Sequence, residues 1–334
     1  YREYVNAFYS QFGSKFGEKF SFLLGLRLEE SRITIDQITS NDFNRKTFTN
    51  FFPTVNLAYE LSKDENITIG INRRIRRPRS RFINPFPSRS SATNLFQGNP
   101  DLNPSLSTTF DIGYFKKFGK LDLNSSIFYQ NASDVFVFIT EETGETAIVG
   151  GTEVPVIRRT PVNLATNERI GFEFTLTYRP TKKWNINGNF NIFQSITKGD
   201  FEGTNFDAEN LSWFIRLNNK VTLPGDIDWQ TRLNYRGPSE DAQNRSEGIF
   251  TADLAFSKDI LKRNASIAIN VSDVFNSRKR ITNTNTPTFN SRSEFQFRQR
   301  SINLSFTYRF NQQRESQRRE RGGFNGGDDF DFEG

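Results

Sequence analysis

The sequence predicts an all-β chain, an antiparallel transmembrane β-barrel. Three observations carry this. Apolar and polar side chains alternate with a period of two in about thirteen segments. The connectors between segments are short and long in turn. Finally, 36 Phe sit in a chain whose mean hydropathy is negative and whose hydrophobic share is 35%. A strand sends successive side chains to opposite faces, so such a segment has one apolar and one polar surface.

Weak alternation begins the chain at 3–12, 18–29, 51–60, 65–73, 107–116 and 120–130. The clear cases follow. Phe172, Phe174, Leu176 and Tyr178 alternate with Glu173, Thr175, Thr177 and Arg179. Trp184, Ile186, Phe190 and Ile192 alternate with Asn185, Asn187, Asn189 and Asn191. After 211–222, Ile227, Trp229, Leu233 and Tyr235 alternate with Asp228, Gln230, Arg232 and Asn234. Segments 248–257 and 264–275 precede the last strand, where Ile302, Leu304, Phe306, Tyr308 and Phe310 alternate with Asn303, Ser305, Thr307 and Arg309. Each segment is near the roughly 9–11 residues that a tilted strand needs to cross a bilayer.

The short connectors are Gly13–Gly17, Lys63–Glu65, Lys117–Gly119, Pro180–Lys183, Pro224–Asp226 and Lys258–Asn264; the long polar ones are 30–46, 77–106, 131–167, 194–210, 237–247 and 276–292. Short turns at one end and long loops at the other are the pattern of an outer-membrane barrel. Phe12, Phe16, Tyr59, Phe115, Tyr178 and Phe310 lie near the short turns, as an interfacial aromatic girdle would. A soluble β-sandwich or propeller also alternates, but it does not sort its connectors in this way.

Composition removes several function classes. With no Cys and no His there is no thiolate nucleophile, Ser-His-Asp triad, Cys-based zinc site or His-ligated metal, so no metal or cofactor is expected. An outer-membrane lipase or protease would lack its His base. The net charge of +6 is small and no strand carries a nucleic-acid-binding module, so no nucleic-acid partner is expected. If both ends of a barrel lie in the periplasm, counting back from an inward-running last strand makes 3–12 run inward as well. The chain is then expected to be the C-terminal part of a larger barrel.

The loop motifs resemble those of TonB-dependent outer-membrane receptors, and most closely the aromatic-rich outer membrane protein β-barrel family. The matching residues are Arg77, Pro78, Asn84, Pro85, Phe86, Gly98, Asn99, Pro100, Leu102 and Pro104 in the long loop. Gly171-Phe172-Glu173 and the segment holding Asp273, Phe275 and Asn276 add to them, and Tyr308 and Phe310 end the last strand. The resemblance covers 1–311 and implies about 13 strands of a 22-stranded barrel. It further implies an upstream plug domain, indirect coupling to the TonB complex, outer-membrane lipid as surroundings, and a barrel-assembly machinery that reads Tyr308 and Phe310. Residues 312–334 are a basic, Gly-rich and then acidic stretch, expected to be a disordered periplasmic tail.

Two groups are candidates for ligand contact. Arg73, Arg74, Arg76 and Arg77, with Arg79 and Arg81, form either an anion-recruiting patch or a continuation of the strand that pairs with lumen acids. The second reading is preferred, because the resemblance places an Arg-Pro here whatever the ligand. Glu173, Arg179, Arg216, Asp228 and Arg232 should face the lumen, either as a polar path or, by preference, as structural salt bridges. Glu141, Glu142 and Glu145 read as solvated loop charge. The functional expectation is a receptor that captures a ligand on long outer loops and passes it through the lumen. The alternative is a passive porin or translocator barrel.

Overall fold

The computed structural model describes residues 1–37, 42–88, 91–201, 204–241, 243–286 and 289–310. Thirteen strands pair in sequence order, each antiparallel to the next. They are β1 (Arg2–Phe16), β2 (Phe20–Gln37), β3 (Asp42–Ser62), β4 (Glu65–Arg76), β5 (Ser105–Phe118), β6 (Leu121–Val149) and β7 (Thr152–Thr181). The series continues with β8 (Trp184–Lys198), β9 (Ala208–Leu223), β10 (Ile227–Arg236), β11 (Ile249–Ile260), β12 (Ala265–Ser272) and β13 (Ser301–Tyr308). Among the described residues β1 pairs only with β2 and β13 only with β12, so the sheet has two unpaired edges.

The alternation seen in the sequence sorts onto two surfaces. One carries exposed apolar side chains along the whole sheet: Leu24 and Leu26 on β2, Ile112 on β5, Ile127 on β6, Ile215 on β9 and Leu304 on β13. So much exposed apolar area on one face is the mark of contact with lipid rather than water. The opposite face is polar. No helix among the described residues is long and apolar enough to cross a membrane. Strands satisfy the backbone between themselves, which is what a spanning sheet needs in hydrocarbon.

Several sequence expectations change. The first strand does not stop at residue 12 but runs to Phe16, and its turn is at 17–19, where Gly17 takes the left-handed φ of 65°. Phe115 shares the face of Asp111 and Gly113 rather than the girdle; Phe118 is the exposed aromatic there. The connectors expected at 30–46 and 131–167 are largely strand, because β2, β3, β6 and β7 run on well past the apolar band. The other long connectors are also folded: Ser239–Glu240, Asn244–Ser246, Arg280–Asn285 and Asn290–Phe295 form a small sheet of their own. Segment 77–106 contains a helical turn, Ser80–Ile83, and a short strand, Asn94–Phe96, that pairs parallel with β7. The tail from residue 311 lies outside the described residues.

Beyond the apolar band the strands change inside for outside. On β2 the apolar residues are Phe22, Leu24, Leu26 and Leu28 within the band, then Ile33 and Ile35 on the other face. The same switch on β6 brings Phe136 and Phe138 to the inner face. There they bury with Ile33, Ile35, Phe82, Ile83 and Leu102 in the main hydrophobic core. The core therefore lies at the outer end, between two extended hairpins and the folded-in segment 77–104.

Candidate functional site

The inner wall from β7 to β11 is a cross-strand lattice of amides, hydroxyls and guanidiniums. Asn187 donates to Thr177 (3.0 Å), Asn189 to Thr175 (2.9 Å) and Asn191 to Glu173 (3.2 Å). Arg216 donates through Nε to Asn234 Oδ1 (3.0 Å), and Arg232 through Nε to Asn218 Oδ1 (3.2 Å). Such directly opposed pairs are the stabilising unit of a sheet, and here they hold a wet surface in fixed rotamers.

Segment 77–104 folds in at the outer end of the neighbouring strands, against β2, β3, β6 and the outer part of β7, and the residues of the family motif build it. Arg77 anchors the start: its guanidinium donates to Glu29 and to Ser31 Oγ (2.9 and 2.8 Å), with Glu3 3.8 Å away. Pro78, Pro100 and Leu102 pack around Ile33, Ile35 and Ile83. The Asn84 and Asn99 side chains accept from the backbone N–H two residues on, those of Phe86 (3.2 Å) and Asp101 (2.9 Å), which are Asx turns. Lys46 Nζ donates to the Asp101 carbonyl (2.5 Å), and burial pushes its pKa down against the opposing pull of the Asp101 carboxylate. Asn163 closes the end of the segment, accepting from the Asn103 N–H (2.8 Å) and donating to the Asn103 carbonyl (3.0 Å).

Gly98 fits for want of a side chain. A Cβ there would lie 2.5 Å from the Asn84 carbonyl oxygen and 2.7 Å from that of Arg81, both backbone atoms that cannot swing aside. Gly98→Ala is expected to loosen the segment by about 1–3 kcal/mol, the usual cost of overpacking. Faster cleavage of 77–104 by an external protease, with unchanged heat-dependent gel migration, is the expected readout; an unchanged cleavage rate would show that the contact is slack.

The motif around residue 273 is likewise a built turn. Asp273 is 2% exposed, with φ of 53°. Its carboxylate accepts from the N–H groups of Ser277 (3.0 Å) and Arg278 (2.9 Å), while its own N–H donates to Asp253 Oδ1 (2.8 Å). Asn276, with φ of 52°, accepts from Gln296 and the Arg300 N–H, both at 2.9 Å, and so ties the turn to the start of β13. Phe275 is exposed and rings with Phe250 on the apolar face. Asp273→Ala leaves two part-buried N–H donors without their acceptor, so a loss of about 1 kcal/mol is expected. A fall in the temperature of heat-dependent gel migration checks it.

The remaining sequence candidates divide. Arg74 and Arg76 share the polar face of β4 with Thr68 and Asn72, whereas Arg73 shares the lipid-side face with Ile69 and Ile71 and does not line the lumen. Arg179 pairs with Asp122 (2.5 Å), and Asp228 with Thr222 (2.6 Å) and Lys220 (4.0 Å), so these two are structural bridges near the short turns. Glu141 lies on strand β6 rather than in a loop, and its part-exposed carboxylate pairs with Arg158 (2.6 Å). The last strand ends at Tyr308, two residues short of the expected Phe310, and the two rings meet edge to face at 4.5 Å. Sequence reasoning missed Glu29, Ser31, Lys46 and Asn163, which hold the segment down. The available signal was the switch of apolar parity at Ile33 and Phe136, which marks strand beyond the membrane.

A sheet that is apolar and lipid-exposed on one face, polar and cross-bonded on the other, with folded segments at one end, defines the wall of a membrane-spanning β-barrel. The chain belongs to the outer membrane protein beta-barrel family, whose model matches residues 1–308, and its place is the outer membrane. Solved structures share the fold. The copper transporter OprC aligns at 14% identity and TM-score 0.58 over 82% of this chain and 42% of its own. The FrpB iron transporter from Neisseria meningitidis (F3-3 variant) aligns at 14% and 0.59 over 92% and 44%. The ferric yersiniabactin uptake receptor FyuA from Yersinia pestis aligns at 13% and 0.61 over 91% and 45%. The chain thus spans less than half the length of each. No curated protein matches it.

Proposed function

We propose that this chain is the C-terminal barrel portion of a TonB-dependent outer-membrane receptor. In this reading it captures a ligand on its folded outer segments and passes it through the polar lumen. The observation that carries this is the combination of a fixed polar inner wall on β7–β11 with the 77–104 segment pinned inside the outer end of β2, β3, β6 and β7. That is how a selective path is built, and a wide passive pore has no need of it. The similarity in fold to copper, iron and ferric yersiniabactin transporters supports uptake over enzymatic chemistry. Two unpaired strand edges are untenable in hydrocarbon, so further strands of the same protein would close the barrel. A plug upstream would occupy the lumen and engage TonB. The assembly machinery would read the strand ending at Tyr308 and Phe310, and 312–334 would be a periplasmic tail.

The second reading is a passive porin or translocator barrel. Planar-bilayer recordings of the native gene product separate the two. A silent protein whose coding sequence holds a plug upstream of Tyr1 supports the receptor. Reproducible open-channel conductance with no plug encoded overturns it.

A further inference from the structure

We propose that the paired Arg216-Leu217-Asn218 of β9 and Arg232-Leu233-Asn234 of β10 form a two-guanidinium clamp for the oxyanion groups of a solute in the lumen. The inference rests on the reading above, in which the lumen is a solute path, and gives that solute a charge.

The same tripeptide occurs on two adjacent antiparallel strands, in a register that sets Arg216 opposite Asn234 and Asn218 opposite Arg232. The two pairs are therefore reciprocal, and the two arginines are diagonal neighbours. Diagonal positions in an antiparallel pair lie about 7–8 Å apart, a gap that two long side chains can close on one ligand. Each arginine bonds its asparagine through Nε, and no bond to a terminal nitrogen of either is formed among the described residues. That leaves free the paired terminal N–H groups, which can fork onto a carboxylate or phosphate. Asn234 is itself fixed, because its amide donates to Thr251 (3.3 Å) and so turns its oxygen toward Arg216.

The choice of partner is the telling point. An arginine kept only for stability is commonly met by a carboxylate, which cancels its charge. Both partners here are amides, which orient a guanidinium and leave it fully positive. The rung through Arg216 runs Thr175, Asn189, Arg216, Asn234, Thr251 and holds no acid. The rung through Arg232 runs Asp122, Thr177, Asn187, Asn218, Arg232 and ends at Asp253; Asp122, four strands away, is held by Arg179 (2.5 Å). Asp253 is already taken, by the Arg278 guanidinium (3.1 Å) and the Asp273 N–H (2.8 Å). Glu173, the nearest acid on the next rung out, accepts from Ser126 (3.1 Å) and Asn191 (3.2 Å). Two oriented charges with no carboxylate bonded to either raise a positive potential at this part of the lumen wall.

The test is equilibrium dialysis of radiolabelled orthophosphate against the detergent-solubilised native gene product at fixed ionic strength. Saturable binding is expected. Arg216→Gln with Arg232→Gln should weaken it by at least about tenfold, as the loss of charge-assisted hydrogen bonds requires. The double Lys variant keeps the charge and loses the fork, so it should fall in between, and heat-dependent gel migration should stay native in both. Native protein that binds no phosphate overturns the clamp, as would happen if an acidic side chain of the same protein filled it. Equal binding by the double Gln variant also overturns it. Failure of the transport reading shows differently: phosphate binds as described, but neither conductance nor uptake is found.

Discussion

Phe82→Ala is expected to undock segment 77–104 while leaving the barrel wall folded. Phe82 is 3% exposed and meets Phe138 and Phe136 edge-on, with ring centroids 5.3 and 6.3 Å away. Phe96 lies against the same ring at 6.2 Å. Truncating a phenylalanine in such a site costs about 3–5 kcal/mol, because the transfer term is lost and a cavity remains. The core is small and its other half comes from β2 and β6, so little surrounding material can collapse into the space. The cost falls on one cooperative unit rather than on the sheet, since the wall has its own strand pairing. Hydrogen exchange reads this directly. The Gly98 and Asn99 N–H groups donate to the Asn84 and Phe82 carbonyls at 2.8 and 2.6 Å, and both should lose protection. Amides in β8 to β12 should keep theirs. Protection lost in both places would mean that the segment is part of the barrel's global stability rather than a docked unit.

The sheet was legible because lipid on one side and water on the other impose a period of two, which no tertiary contact overrides. About thirteen strands follow from that period, and their succession along the sheet from the alternating short and long connectors. Legibility fails where the solvent changes. At Glu29 and Glu30 the β2 pattern breaks, which reads as the start of a loop; in the structure it is the point where the strand leaves the membrane and its apolar residues turn inward. The same holds for 131–149 of β6. The Arg73–Arg77 run could be counted but not aimed. Which arginine pairs with an acid depends on Glu29, 48 residues away from Arg77, and no local pattern reports it. Arg216 and Arg232 were visible as inward-facing charge. That their partners are amides is a matter of register between β9 and β10, fixed by the turn at 224–226 and not by composition.

Arg77 carries the other large expected effect, and it distinguishes an anchor from a bystander in the arginine run. Its guanidinium reaches Glu29, whose side chain is only 7% exposed, and Arg27 Nε holds the other Glu29 oxygen at 2.8 Å. Breaking a buried ion pair by removing one partner costs about 3–5 kcal/mol, since the remaining charge is left without compensation. Arg27 supplies part of that compensation, so Arg77→Met belongs at the lower end, about 3 kcal/mol. The loss should appear as faster exchange in 77–104, as for Phe82→Ala, but with a different response to a second change. Glu29→Leu in the Arg77→Met background removes the stranded carboxylate and should restore much of the protection, because a buried pair replaced by apolar groups is often neutral. A cavity at Phe82 has no such remedy. The coupling measured by this double-mutant cycle should therefore be large and of rescuing sign. Costs that simply add would assign the anchoring to Ser31 and the proline packing, and leave Glu29 a partner of Arg27 alone.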